Sequence, residues 1–384
     1  MDSAITIYDV AEVAVKRMGL VLQLLSVDMQ NNREVVMVAV QQCGGALEYA
    51  SEGLRDDQQV VETALIEDPC ALEYASDRLR DDKEVVVGAV ERYGMALEYA
   101  SDRLRDNLEL VMTAVKQNGK ALQYASDRLR DNLELVMTAV QQNGMALQYA
   151  SDLLCDNLLV VAAAVWQNPI ALLEASLRLR DNYSLALAAV RRDGDALEGA
   201  SERLRSDREF VLEALDNTGL ALEHAAEELQ GDRKIVMVAV QECGTALQFA
   251  SPELQDDDEV VWAAVTEWGA AFGYASPRLC SHRDFCLRAM KTAGQDLAFA
   301  TPELQSDREV VMAAVSQDPL AIKFISPELR SDHDFMLRAA LFIEWHRARI
   351  ILLGSRQAKC PFSMLPIELV RGCCFHAFSE KLKK

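Results

Sequence analysis

The phrase Ala46-Leu47-Glu48-Tyr49-Ala50-Ser51 returns at 71, 96, 121 and 146, and in drifting form at 171, 196, 221, 246, 271, 296 and 321. A degenerate copy, Val21-Leu22-Gln23-Leu24-Leu25-Ser26, precedes them. This makes 13 registers spaced by 25 residues, with no insertion or deletion between them. Residues 96–120 and 121–145 differ at 3 of 25 positions. A fixed period of this kind is the signature of an array whose units are too small to fold alone and are stabilised by stacking on their neighbours. The 384 residues therefore read as one array, not as the two or three globular domains that length alone suggests.

Each unit carries its own start and stop signals. Gly94-Met95-Ala96-Leu97-Glu98-Tyr99-Ala100 predicts a short helix. Asp68-Pro69, Asn168-Pro169 and Asp318-Pro319 replace its Gly with a cap and a proline, which suits a first helical position whose N–H is unpaired anyway. Where Gly stands, it is expected to end the preceding helix as a left-handed residue. Ser251-Pro252-Glu253-Leu254 and its counterparts at 276, 301 and 326 predict a single helical turn, with 3₁₀ geometry one option. A longer helix then opens at Asp57, Asp82, Asn107, Asn132, Asp207 or Asp307, with His282 the exception, and an acid such as Glu109 in its first turn suits the helix dipole. In Glu109-Leu110-Val111-Met112-Thr113-Ala114-Val115 the apolar residues leave little polar face, so this helix is expected to be buried on most sides. Its Ala is present in all 13 copies, from Ala39 to Ala339, and marks where neighbouring helices approach.

The predicted fold is all-α: an α-solenoid, or superhelical rod, of about 13 two-helix repeats of 25 residues with a short C-terminal helical tail. Residues 1–20 form an N-terminal capping half-repeat, 21–345 the repeat solenoid, and 346–384 a basic tail. Repeats 96–145 are expected to be the most compatible neighbours. The stretch 171–225, where Glu174 and Gly199 replace aromatics, is expected to be weaker.

Composition narrows the function. The net charge is −21, yet the tail from His346 onward holds eight basic residues against Glu368 and Glu380, so the body is acidic and the tail basic. An acidic body argues against a nucleic-acid partner. No apolar run reaches the ~18 residues that span a bilayer, and Met1-Asp2-Ser3-Ala4-Ile5 does not open a secretory signal. The 9 cysteines form no CxxC pair and no metal spacing with the 5 histidines, so free thiols in a reducing, cytoplasmic or nuclear compartment are expected. No cofactor, metal or catalytic residue is expected.

The unit Asp-x-Glu-Val-Val-x-x-Ala-Val-x-x-Asn-Gly-x-Ala-Leu-x-Tyr-Ala-Ser-x-x-Leu-Arg, over roughly 9–340, resembles a family of short helical repeats common in protists, algae and giant viruses and catalogued as a domain of unknown function. The resemblance implies tandem helical arrays and no known activity. The alternation of longer and shorter helices is also similar to the leucine-rich repeat variant, without the metal-cluster cysteines near some of its members. In the tail, Leu365, Pro366, Glu368 and Leu369 resemble the Leu-Pro-x-Glu-Leu start of an F-box, and their C-terminal place is similar to that of a SOCS box. That resemblance implies recruitment of a ubiquitin ligase; an amphipathic cap helix is the simpler reading.

Two surface patterns remain. An aromatic ladder runs through Tyr49, Tyr74, Tyr99, Tyr124, Tyr149, Phe249, Tyr274, Phe299 and Phe324, interrupted by Glu174, Gly199 and His224. It reads either as packing between repeats or as a row of partner-binding anchors. A basic double stripe, Arg78/Arg80, Arg103/Arg105, Arg128/Arg130, Arg178/Arg180 and Arg203/Arg205, is flanked by acids such as Asp81 and Asp106 and reads as a solvated ion-pair ladder. The expected function is a non-enzymatic protein-interaction scaffold or part of a larger assembly. The alternatives are a ligase substrate adaptor acting through the tail and, third, an enzyme with its site in the solenoid groove.

Overall fold

The structure, a computed structural model, describes residues 7–354, with side chains over residues 10–343. These residues form helices joined by turns and extended residues, with no strand, and make the all-α repeat solenoid expected from the sequence. Each register holds three helical pieces, except that the turn between Phe249 and Asp258 is not helical. In one copy they are a six-residue 3₁₀ helix, Gly94–Tyr99, a four-residue α-turn, Asp102–Arg105, and a ten-residue α-helix, Leu108–Gln117. The 3₁₀ geometry therefore belongs to the Ala-Leu-x-Tyr segment. The turn after Ser is α in most copies, with Leu304–Ser306 a 3₁₀ exception. Extended residues bracket the 3₁₀ helix, Tyr93 at φ −147° and Ala100 at ψ 155°, and limit it to two turns.

The helix junction departs from expectation. No described residue has a positive φ, so its Gly is not a left-handed stop. The preceding extended residue breaks the long helix instead. Gly supplies space: a Cβ on Gly94 would come within 2.5 Å of the Ala114 carbonyl oxygen, and Gly119, Gly144 and Gly194 stand in the same relation to Ala139, Ala164 and Ala214. The start of each 3₁₀ helix thus lies against the backbone of the long helix that follows it in the same repeat, beside its invariant Ala. Gly119 N–H also donates to Gln142 Oε1 of that long helix at 2.9 Å. Pro169 has no N–H to give. There Arg192, in the register of that Gln, donates to the Val165 and Trp166 carbonyls and lies over the Trp166 ring at 4.8 Å.

The long helix buries one side, not most of its circumference. Leu110, Val111, Ala114 and Val115 are buried, while Met112 and Thr113 are half-buried and Lys116 and Gln117 are exposed. All 13 invariant alanines are fully buried. The Asp and Asn caps act as predicted: Asp82 Oδ1 accepts from Glu84 and Val85 N–H, and even His282 caps, its Nδ1 accepting from Phe285 N–H at 3.3 Å.

Contacts divide the chain into two compact units, Met1–Leu229 and Gln230–Lys384. The first opens with Ile7–Arg17, packed on Arg33–Gln42. The second closes with His333–Gly354, packed on Arg308–Gln317 and Pro327–Ser331. Within the first unit, Gly199 is buried, and a Cβ there would come 2.8 Å from the Leu173 backbone nitrogen. The interruption of the aromatic ladder at Gly199 is therefore a close approach of two 3₁₀ helices, Pro169–Glu174 and Gly194–Gly199.

The buried alanine sets the first prediction. Ala114→Leu should cost roughly 1–3 kcal/mol by overpacking, despite leucine's helix propensity. Thr113→Leu, at the adjacent half-buried position, should change stability by less than about 0.5 kcal/mol. Thermal unfolding of the two variants separates them, and equal stability would mean the buried face is misassigned.

Candidate interaction surface

Neighbouring repeats are joined at the short α-turn. Ser101 N–H donates to the Arg80 carbonyl of the preceding repeat at 2.9 Å, and the same bond recurs from Ser76 to Arg55, Ser126 to Arg105 and Ser276 to Gln255. The Ser101 hydroxyl caps its own turn by accepting from Leu104 N–H, and donates to Asp81 of the preceding repeat. Arg103 Nε reaches the same carboxylate at 3.0 Å. Asp56, Asp81, Asp106, Asp156, Asp181 and Asp256 all sit in this arrangement. The Ser hydroxyl, and after it the Arg, holds each carboxyl below the usual range.

The outer row of the basic double stripe is thus an ion-pair ladder between repeats: Arg78, Arg103, Arg128, Arg178, Arg203 and Arg278 each pair with the Asp of the preceding turn at 2.8–3.0 Å. The two registers change together. Where the acceptor is Ser206, Gly231, Ser281 or Ser306, the following repeat carries Glu228, Glu253, Glu303 or Glu328 instead of Arg. Asp131 breaks the rule, because Leu153 stands where its Arg belongs.

The inner row has a different role, one not evident from the sequence alone. Several of its residues bond the carbonyls that end the 3₁₀ helix, while Arg80 and Arg105 pair with Asp77 and Asp102 of their own turn. Gln255 Nε2 donates to the Leu247, Gln248 and Ala250 carbonyls at 3.1–3.2 Å, and Gln305, Arg130, Arg330, Cys155 and Cys280 bond there too. The signal was present: every copy of this register, from Gln30 to Arg330, holds a hydrogen-bond donor of type Gln, Arg or Cys.

The aromatic ladder closes each 3₁₀ helix. Tyr49, Tyr74, Tyr99, Tyr124, Tyr149 and Phe249 are half-buried, whereas Tyr274, Phe299 and Phe324 are exposed. Tyr124 Oη donates to Glu98 of the preceding repeat at 2.9 Å, and burial followed by that bond pushes its hydroxyl up to about 12. Phe299 lies over Gly273, whose added Cβ would meet its ring at 2.9 Å. Leu365, Pro366, Glu368 and Leu369 of the tail lie outside the described residues.

Burial pushes the thiols of Cys155 and Cys286 up to about 11 and 12, and raises those of Cys70 and Cys280 as well. The depression at Cys155, lined also by Gln148, Asp152, Glu174 and Ser176, is open to solvent. Among the described residues no group of three or more His, Cys, Asp or Glu is placed to hold a metal, and no helix is long and apolar enough to cross a membrane. One buried acid stands apart. Asp296 occupies a register that is Ala in 11 other copies, its Oδ2 has no partner, and burial beside Cys280 and Cys286 raises its carboxyl to about 7.

A family model, a domain of unknown function (DUF4116), matches residues 8–55, 57–105, 107–155, 207–255, 257–305 and 307–341. The chain belongs to the DUF4116 family. It matches no curated protein and no solved structure. A full DUF4116 match spans two 25-residue registers, so the family unit is a pair of the repeats described above. The DUF4116 matches skip 156–206, where the backbone nonetheless keeps the same three pieces, as in Leu177–Arg180, Tyr183–Val190 and Gly194–Gly199. Leu158, Leu159, Leu177 and Tyr183 stand exposed in that stretch.

Two measurements test these roles. Ser101→Ala should cost about 1 kcal/mol through loss of the cap. Arg103→Ala should cost less, and its effect should vanish in high salt, where exposed pairs are screened. Asp296 acts in the opposite pH direction to the ladder. Its folded carboxyl binds a proton more tightly than its unfolded one, so the second unit should lose stability as pH rises from about 4 through about 7, by on the order of 4 kcal/mol if the whole shift is expressed. Asp296→Ala should raise the unfolding temperature at pH 8 and lose most of that gain at pH 5; a pH-independent gain would exclude the titration.

Proposed function

We propose that the chain is a non-enzymatic interaction scaffold, in which the repeat core holds a long surface in register and the outward side chains select protein partners. Tandem helical repeats fit such a role. The observation that carries it is the way residue choice divides between the two sides of one backbone. The inward registers are fixed, with Ala39 to Ala339 unvarying and Leu at every turn from Leu54 to Leu329, while the outward registers change from repeat to repeat among acid, base and leucine. The polar groups of the ladder support the reading, because Ser101, Asp81 and Arg103 bond to one another across the repeat junction and do not converge on a recess.

The test is affinity capture of the full chain from its native cells under gentle conditions. A partner should be recovered in constant stoichiometry and at a yield that falls with added salt, as expected of a charged surface. Recovery of the chain alone, together with turnover of a small molecule by the purified protein, overturns the proposal.

A further inference from the structure

Along most of the array the first residue of the long helix carries charge, and it reaches into the next repeat. Arg33 bonds Asp57 and Gln59, Arg233 bonds Asp257 and Glu259, and Arg283 bonds Asp307 and Glu309. In four consecutive repeats that register turns apolar, as Leu108, Leu133, Leu158 and Tyr183, each 40–49% exposed. Around Leu133 two of the registers that it touches elsewhere in the array turn apolar as well. Leu159 stands where Gln59 and Glu259 receive the cation, and Leu153 stands where Arg278 meets Asp258. Leu153 and Leu159 are 70% and 73% exposed. The Leu133 register and the two registers it meets elsewhere in the array have thus lost their charges in one place, and a lone surface leucine would not show that coordination.

The losses leave carboxylates behind at the rim. Asp131 has no Arg because Leu153 replaced it, and Glu134 has no cation because Leu108 replaced it. Neither Asp131, Glu134 nor Asp152 forms an ion pair among the described residues, although Asp131 still accepts from the Ser151 hydroxyl. The result is an apolar stripe with an acidic edge, in a chain of net charge −21. Two copies face to face would bring those acids together, and an anionic membrane surface would be repelled for the same reason.

We propose that this stripe docks an amphipathic helix of a partner protein whose apolar residues are flanked by Lys or Arg. The inference rests on the scaffold reading and names its surface. Spacing favours a helix. Neighbouring long helices pack about 8–10 Å apart, and a helix laid across them presents one side chain on the same face every seven residues, about 10.5 Å along its axis. One anchor therefore meets each repeat, while the flanking cations meet Asp131, Glu134 and Asp152.

The probe is a fluorescent, alanine-rich synthetic helix of about 28 residues, with leucine at every seventh position and lysine on either side of each leucine. The full-length chain should bind it, and should bind the same peptide with glutamate for lysine at least tenfold more weakly. The triple variant Leu133→Lys, Leu153→Arg, Leu159→Glu restores charges that other repeats carry at these registers. It should keep its helical content and unfolding temperature and lose at least tenfold in affinity. Equal affinity for the two peptides, no binding, or unchanged binding by the triple variant overturns the proposal. So does sedimentation of the wild type as a dimer that the triple variant converts to monomer, which would make a second copy the occupant. Capture from native cells separates this inference from the one beneath it. A partner retained by the triple variant removes the stripe and leaves the scaffold, whereas a wild-type chain that captures nothing removes the scaffold.

Discussion

The array depends on one backbone hydrogen bond, from the amide that opens each short turn to the carbonyl that ends the previous one. It recurs at Ser51, Ser76, Ser101, Ser126, Ser151, Ser176, Ser201, Ser251, Ser276 and Ser326, and survives at Ala226, where the serine side chain is gone. Because donor and acceptor both belong to the main chain, the bond does not depend on which side chains flank it. Everything else at the junction is arranged around it: the serine hydroxyl caps, the aspartate receives that hydroxyl, and the arginine closes over the aspartate. Buried on one side, such a bond fixes the rise from repeat to repeat, and an unpaired amide there would cost more than the bond gains.

A second constraint is steric. The 3₁₀ helix of each repeat starts beside the carbonyl of the invariant alanine in the long helix that follows it, so both partners are held small, Gly on one side and Ala on the other. Three repeats put Pro in place of Gly and lose its amide. In one of them, Pro169, the guanidinium of Arg192 takes over the bonding at the junction. Small residues at the seam and large ones away from it are what close packing requires when units must repeat without drift.

Much of this is legible in the amino-acid sequence. Period, caps and the buried small residue follow from the spacing of Asp57, Ala64 and Leu79 and of their counterparts, because a cap, a close approach and a core plug each demand a narrow set of residues. Helix subtype is not legible: Ala-Leu-x-Tyr reads equally as α or 3₁₀ until the extended residues at both ends are known. Nor is the role of Gly, since left-handed backbone and close approach select the same residue. The aromatic ladder is visible as a pattern, but its division into half-buried tyrosines and exposed late aromatics depends on neighbours, such as Gly273 beneath Phe299, that belong to the preceding repeat. The partnership of Arg103 with Asp81 lies in the sequence as two registers that change together.

The side-chain pairs that join one turn to the next, Ser101 and Arg103 with Asp81 among them, span less than one period, so each crosses a single junction. Copying errors that add or remove one whole repeat therefore leave every remaining pair intact. The donor of the inserted block finds the acceptor of the block before it, and its own acceptor is met by the block after. Residues 96–120 and 121–145, alike at all but 3 positions, have the form such an event leaves behind. An array built this way changes length in whole steps without losing register, and each new step arrives with an outward face free to diverge.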